Sequence, residues 1–182
     1  SAKIAKKALK ENKYIREYVE YYKMFGITNI CLYDNNRDGE EDFNDVIGDY
    51  ITNGFVILKD YRNKTVCQID AYNECYKEYG NEYDWIAFFD VDEFLCIPNM
   101  LLKQYLNIMD NYYGIGINWK LFGNNNLNFI GDYNVLSRFT KCQLKCNKHI
   151  KTLLHFSKLN SFKNQLKFQD PHSISLSMHL DA

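Results

Sequence analysis

Apolar and polar positions follow two rhythms along this chain, and the switch between them recurs three times in its first half. Ile15, Tyr18, Val19, Tyr22 and Phe25 fall at helical spacing, and Gly26 stands where a helix C-cap belongs. The short apolar run from Ile30 to Tyr33 follows, ending abruptly in Asp34-Asn35-Asn36-Arg37-Asp38-Gly39, a buried strand running into a polar turn. The same succession returns with the stripe Phe43, Val46, Ile47, Tyr50 and Ile51, stopped by Asn53-Gly54. The strand Phe55 to Leu58 then opens onto Lys59-Asp60-Tyr61-Arg62. A third helix carries Ile69, Tyr72, Tyr76 and Tyr79, closes at Gly80, and gives way to the strand Trp85 to Phe89, which delivers Asp90-Val91-Asp92-Glu93.

Strands that are apolar throughout, separated by amphipathic helices, predict an α/β fold with a mainly parallel, Rossmann-like sheet and helices on both faces. Ligands of such sheets bind beyond the carboxyl ends of the strands. Here those ends are Asp34 to Asn36, Asp60, and Asp90 to Glu93, so three polar termini converge on one edge. Further along, the pattern predicts a fourth helix from Met100 to about Met109, a strand from Tyr113 to Trp119, and a loop at Gly123-Asn124-Asn125-Asn126. Beyond Phe129 the periodicity weakens, with short strands read near Leu136 to Thr140 and His149 to His155. No repeat or linker divides the 182 residues, which read as a single domain. The opening stretch, Ser1 to Leu9, is broken by Lys3, Lys6 and Lys7 and reads as a helix or as an altered strand end. Lys3, Lys6, Lys7 and Lys10 read as a solvated surface.

Composition adds limits more than directions. The chain is 46% hydrophobic and 25% charged, as ordinary globular proteins are. Its 15 Tyr and 12 Phe suit a sugar- or base-holding surface, yet the accompanying wealth of Asn, Lys and Ile is the tilt an A- and T-rich genome produces. A net charge of −1 argues against a nucleic-acid binder. No apolar stretch approaches the roughly 18 residues of a membrane span, and no signal peptide is read. Four of the six cysteines (31, 67, 75, 96, 142 and 146) lie inside apolar or helical patterns, which suits reduced, buried thiols and a cytoplasmic location. Cys142-x3-Cys146-x2-His149, followed by His155, matches no standard zinc spacing and reads as chance clustering.

The acidic run carries the chemistry. On a strand, Asp90 and Asp92 would face one side, with Val91 turned to the core. Two such carboxylates repel each other unless a cation lies between them, and Mg2+ or Mn2+ commonly bridges carboxylates to phosphate oxygens. An ion there acts as a Lewis acid on a leaving diphosphate. Taken alone, D-x-D is a weak signal, and the bland alternative is that the acids cap the next segment or solvate a loop.

Set beside known families, the residues resemble the GT-A-fold glycosyltransferases of the family 2-like and family 92 group. Glu11 to Tyr22 resembles their opening helix, Leu32-Tyr33-Asp34-Asn35-Asn36 their second-strand motif, and Gln68, Ala71-Tyr72-Asn73 and Trp85 to Leu95 the run into their metal site. Asn118-Trp119, Phe122-Gly123, Arg138-Phe139 and Asp170-Pro171-His172 resemble later landmarks, in order, so the likeness spans roughly residues 11 to 173. It implies a nucleoside-diphosphate sugar donor, taken as a UDP-sugar, and transfer to a saccharide or other hydroxyl acceptor, read as inverting. It also implies Mn2+ or Mg2+ on Asp90 and Asp92, completed by His172. Asp34 and Asp60 would sit near base and ribose, while Lys64 and Gln68 would reach the donor. Three departures stand out: the lysine-broken first strand, Ser137 where an acid is expected before Arg138-Phe139, and an end at Ala182, short of the C-terminal segment such enzymes carry. An inverting transfer needs a carboxylate base; Glu93 and Asp132 are the candidates. Two rivals are a non-catalytic nucleotide-sugar-binding module and a phosphotransferase of the haloacid dehalogenase type, which also places D-x-D after an apolar strand.

Overall fold

The computed structural model describes residues 1–65, 67–124, 126, 134–159, 166–170 and 173–176. Four parallel strands come first: β1 (Ala2–Ala8), β2 (Asn29–Asp34), β3 (Val56–Asp60) and β4 (Trp85–Phe88). Helices α1 (Asn12–Phe25), α2 (Asn44–Thr52) and α3 (Gln68–Tyr79) form the crossovers between them. After α4 (Leu102–Ile108) the chain adds β5 (Gly114–Asn118), the helical turn α5 (Val135–Arg138), β6 (Ile150–His155) and the turn α6 (Phe156–Leu159). A separate antiparallel hairpin, β7 (Leu166–Asp170) and β8 (Ser173–Leu176), follows. The main sheet has the order β3-β2-β1-β4-β6-β5, with β6 antiparallel to both of its neighbours.

The predicted α/β architecture is therefore present, and its helix stripes are buried as their spacing requires. Ile15, Tyr18, Val19 and Tyr22 of α1 join one core with Ile4, Ile30 and Trp85. Ala71, Tyr72, Cys75, Tyr76 and Tyr79 of α3 join a second core with Cys31, Ile86 and Phe88. Two cores on opposite faces of one sheet make a three-layer structure. Gly26, at φ 96°, ends α1 in the left-handed conformation that a residue with a Cβ resists. The hairpin docks onto the second core through Phe168, whose ring lies 4.5 Å from Phe88 and 5.5 Å from Tyr72.

Two expectations fail. The opening stretch is neither helical nor solvated: β1 is a central strand, hydrogen-bonded to β2 on one side and β4 on the other. Lys3 is 0% exposed and Lys6 5%. The Lys3 ammonium lies 3.4 Å from the Tyr79 ring centre and 4.7 Å from that of Tyr83. It makes no hydrogen bond among the described residues. The segment near Leu136 to Thr140 is the turn α5, because the Glu17 carboxylate of α1 accepts the amides of Val135 at 2.6 Å and Leu136 at 3.0 Å. An acid at these unpaired N-terminal amides favours a helical turn.

Burying an ammonium costs several kcal/mol, whereas a desolvated cation–π contact returns about 2 kcal/mol. Burial accordingly lowers the Lys3 pKa from 10.5, against the opposing pull of Cys31, Cys75 and nearby glutamates. Lys3→Met is expected to unfold in urea at neutral pH with a stability about 1 kcal/mol above that of the native chain. Because the folded-state pKa lies below the unfolded one, the native protein gains stability as pH rises towards 10.5, so the gap should narrow there.

Candidate functional site

The carboxyl ends of β1 to β4, the start of β6 and the end of β5 share one edge of the sheet. Following the strand order, that edge carries Asp60, Asp34, the segment after Ala8, Asp90, Lys151 and Trp119.

At the β2–β3 end, Asp34, Asp42, Asn44, Leu58, Asp60 and Arg62 line a cleft of about 270 Å³. Buried Asp34 ion-pairs with Arg62 at 2.8 Å and accepts the Asn36 amide at 2.9 Å. Asp60 is exposed and accepts the amide of Arg62 at 3.0 Å. The two expected carboxylates thus meet in one cleft around a guanidinium that sequence reasoning gave no role. Lys64 makes no ion pair with these acids among the described residues: it is exposed, with its ammonium 3.5 Å from the Tyr61 ring centre.

At the β4 end the acids are arranged differently from the strand geometry expected of them. β4 stops at Phe88, and Asp90 to Glu93 form a tight turn in which the Glu93 amide donates to the Asp90 carbonyl at 2.9 Å. The Glu93 carboxylate in turn accepts the Asp90 amide at 2.8 Å. Val91 is buried in the core as read. The two aspartates part company, because a turn, unlike a strand, does not return alternate residues to one face.

Asp90 points inward between two lysines: Lys6 donates to Oδ1 at 2.8 Å and Lys151 to Oδ2 at 2.6 Å. Gln68 Nε2 also approaches Oδ1, at 3.4 Å. Asp92 is exposed and has no hydrogen bond or ion pair among the described residues. Glu11 lies 3.8 Å from Lys6, and Glu93 lies 3.5 Å from Lys151. Burial would raise the Asp90 carboxyl, but Lys6 and Lys151 outweigh it and hold the pKa below the ordinary value. For Glu11, burial prevails over the pull of Lys6, and Asp92 and Asp90 add to it, lifting the pKa to about 7. Burial also lifts Glu93 to about 7, with Asp90 and Asp92 adding to the rise.

Asp90, Glu93 and Glu11 therefore surround Lys6 and Lys151, three carboxyl groups to two ammonium groups, with Asp92 close enough to raise the pKa of both glutamates. Among the described residues, no group of three or more His, Cys, Asp or Glu side chains is placed to hold a metal ion. The exposed, unpaired oxygens of Asp92 beside this surplus fit a hard divalent cation that takes its remaining ligands from phosphate and water. His172, expected to complete that shell, and Asp132, a candidate base, lie outside the described residues. Cys142 and Cys146 are exposed, as is Cys96, so only Cys31, Cys67 and Cys75 match the expected buried thiols. His149 stacks on Trp119, and His155 is buried against Trp85.

Compared with known proteins, residues 7–176 match the family profile of glycosyltransferase family 92. The chain belongs to that family. A glycosyltransferase family 92 protein of Ricinus communis is 25% identical over 156 residues, covering 83% of this chain and 28% of that protein. The chain thus spans less than a third of that relative's length. Among solved structures, S. aureus TarS residues 1–349 superposes with a TM-score of 0.58 at 13% identity, covering 94% of this chain and 53% of that one. That likeness shows a GT-A-like fold. In this chain the acid run follows the fourth strand, which together with the family match removes the dehalogenase-type alternative, whose acids follow the first. No described helix is long and apolar enough to cross a membrane.

The unequal roles of the two aspartates have a measurable consequence. Asp92→Asn is expected to change unfolding free energy by no more than about 0.5 kcal/mol, as an unpartnered surface substitution does. Asp90→Asn should cost about 2 kcal/mol, because two buried ammonium groups lose their counter-ion. Urea denaturation of both variants decides it. Equal stabilities would mean that the lysine pairing contributes nothing to the fold.

Proposed function

We propose that this family 92 domain takes a nucleoside-diphosphate sugar, a UDP-sugar, and transfers the sugar to an acceptor hydroxyl with inversion. The observation that carries the reading is the placement of the Asp34–Asp60–Arg62 cleft and the Asp90–Glu93 cluster on one edge. The ends of β2 and β4 lie two strand spacings apart, about 10 Å. That separation suits a nucleoside in the cleft with its diphosphate reaching the acids.

Each side chain then has a task. Asp34 and Asp60 accept hydrogen bonds from base or ribose, and Arg62 fixes the Asp34 carboxylate that does so. Asp92, with Asp90 behind it, would hold Mn2+ or Mg2+ against the diphosphate; when bound, the ion supplies Lewis-acid stabilisation of the leaving group. Lys6 and Lys151 keep Asp90 ionised and fixed, and they add positive charge where the diphosphate lies. Gln68 donates towards the same position. The acceptor hydroxyl gives its proton to a carboxylate as it attacks, and among the described residues Glu93 is the candidate that belongs to the cluster.

Thermal unfolding with a panel of nucleoside diphosphates tests the donor site. UDP with Mn2+ is expected to stabilise the protein by about 2.7 kcal/mol at a hundred times its dissociation constant, with little effect when the metal is left out. Asp92→Asn should abolish the metal-dependent part, and Arg62→Met should weaken UDP binding about tenfold with or without the ion. Stabilisation by UDP that ignores both the metal and Asp92 would sink the metal assignment, and no stabilisation by any nucleotide would sink the donor site. Release of free sugar from a UDP-sugar then separates an enzyme from a module that only binds.

A further inference from the structure

Charge is unevenly divided along the chain. Residues 1–110 hold 20 Asp and Glu against 13 Lys and Arg, whereas residues 111–169 hold nine Lys and Arg against one acid, Asp132. The net charge of −1 therefore combines an acidic first part with a basic later one. Asp132 lies outside the described residues, so the described part of the later stretch bears no acid.

Much of this positive charge belongs to the excursion between β5 and β6. It is closed at its root, where the Trp119 amide donates to the His149 carbonyl at 3.0 Å and the Asn147 amide to the Trp119 carbonyl at 2.7 Å. Above the root the two arms stay paired. The Gln143 amide donates to the Leu121 carbonyl at 3.0 Å, the Gly123 amide to the Lys141 carbonyl at 2.9 Å, and Phe122 lies opposite Cys142. Lys120 reaches across to the Leu144 carbonyl at 3.0 Å. The arms thus form a ribbon with a defined surface.

That surface is apolar where solvent would favour polar groups. Leu144 is 98% exposed, Phe122 52% and Leu121 39%. Single exposed apolar side chains are ordinary, but three on one short ribbon make a patch. Lys120, Lys141, Lys145 and Lys148 are exposed on the same ribbon. Lys145 and Lys148 have no hydrogen bond or ion pair among the described residues. A nucleic acid would satisfy such lysines and leave Leu144 in water. An apolar protein groove would take Leu144 and leave the ammonium groups unmatched. A bilayer with anionic headgroups offers hydrocarbon and negative charge at neighbouring depths.

We infer that this ribbon, residues 120–123 with 141–148, docks the domain on an anionic membrane surface. Leu144 and Phe122 enter the boundary between headgroups and acyl chains, while Lys145 and Lys148 lie among the phosphates. The ribbon leaves the sheet at the edge that carries Asp90 and the Asp34–Asp60 cleft, so docking turns that edge towards the bilayer. The mode of attachment needs no spanning helix. It also stands apart from the donor-site reading, since it uses none of the residues assigned there.

The test is co-sedimentation of the whole chain with sucrose-loaded vesicles, made of phosphatidylcholine alone or with about one third phosphatidylserine. Binding is expected on the mixed vesicles only, weakening several-fold from low to physiological salt as the ammonium groups are screened. Lys145→Glu combined with Lys148→Glu should weaken it at least tenfold, because each basic residue at such a surface contributes a factor of about five. Leu144→Ser should weaken it at least fivefold and leave the urea midpoint unchanged, because so exposed a side chain holds nothing in place. Phe122→Ser is the second apolar measurement and should act in the same direction. Inorganic phosphate and glycerophosphoserine, matched to the headgroup concentration, should not displace the protein, which separates a bilayer from a free phosphate. Equal binding to both kinds of vesicle, or binding to neither, would overturn the proposal. So would loss of binding in the lysine variant while Leu144→Ser and Phe122→Ser bind as the native chain does, for the ribbon would then suit an acidic polymer.

Discussion

The arrangement of the site depends on one carboxylate held between two ammonium groups. Asp90 sits where the fourth strand ends, Lys6 comes from the central first strand, and Lys151 comes from an antiparallel strand entering the sheet much later in the chain. None of the three is a comfortable buried residue alone, since an uncompensated charge at such burial costs several kcal/mol. Together they satisfy one another and weld β1, β4 and β6 at the edge where chemistry is placed. The turn from Asp90 to Glu93 is stiffened by the same charges, because Glu93 closes it through the Asp90 amide and touches Lys151 as well. Asp92 is left outside this compensation, and its exposure follows from the burial of its neighbour.

Much of the scaffold was legible in the sequence because the information was local. The stripes on α1 and α3, the glycine that stops α1 and the all-apolar β4 each report burial within a few residues of chain. Asp34 and Asp60 were legible as strand ends, so their meeting place followed once the sheet was parallel, while Gln68, the first residue of the third helix, was singled out only by the family resemblance. The lysines of β1 were misread for the opposite reason. A lysine normally marks solvent, and the groups that make burial tolerable here are Tyr79, Tyr83 and Asp90, all remote in sequence. One local hint existed: Lys3 and Lys6 interrupt a run of alanines and isoleucine too small and apolar for a surface helix.

The acid run shows a finer limit. Its residue types announced a polar cluster at the strand end, yet period-two reasoning assigned both aspartates to one face when the strand had already ended at Phe88. A single hydrogen bond, Glu93 amide to Asp90 carbonyl, separates the two geometries. Arg62 was hidden in another way: it reads as a turn residue after β3, and only the packing of β2 against β3 brings it to Asp34. The short helix at Val135–Arg138 was masked too, because its cap is a glutamate from α1 more than a hundred residues away.

The pinned base of the segment between β5 and β6 has a consequence for how such a protein can diversify. The backbone bonds between Trp119, Asn147 and His149 close that segment at its root, and further up Gly123 pairs with Lys141 and Gln143 with Leu121. Whatever is grafted beyond such a root transmits little strain to β5 and β6, since the cost of closing a longer loop grows only logarithmically with its length. The excursion can therefore vary in length between this root and α5, which Glu17 holds to α1, while the lysine beneath stays on its aspartate. The fold separates a part that evolution must hold still from a part that it can edit.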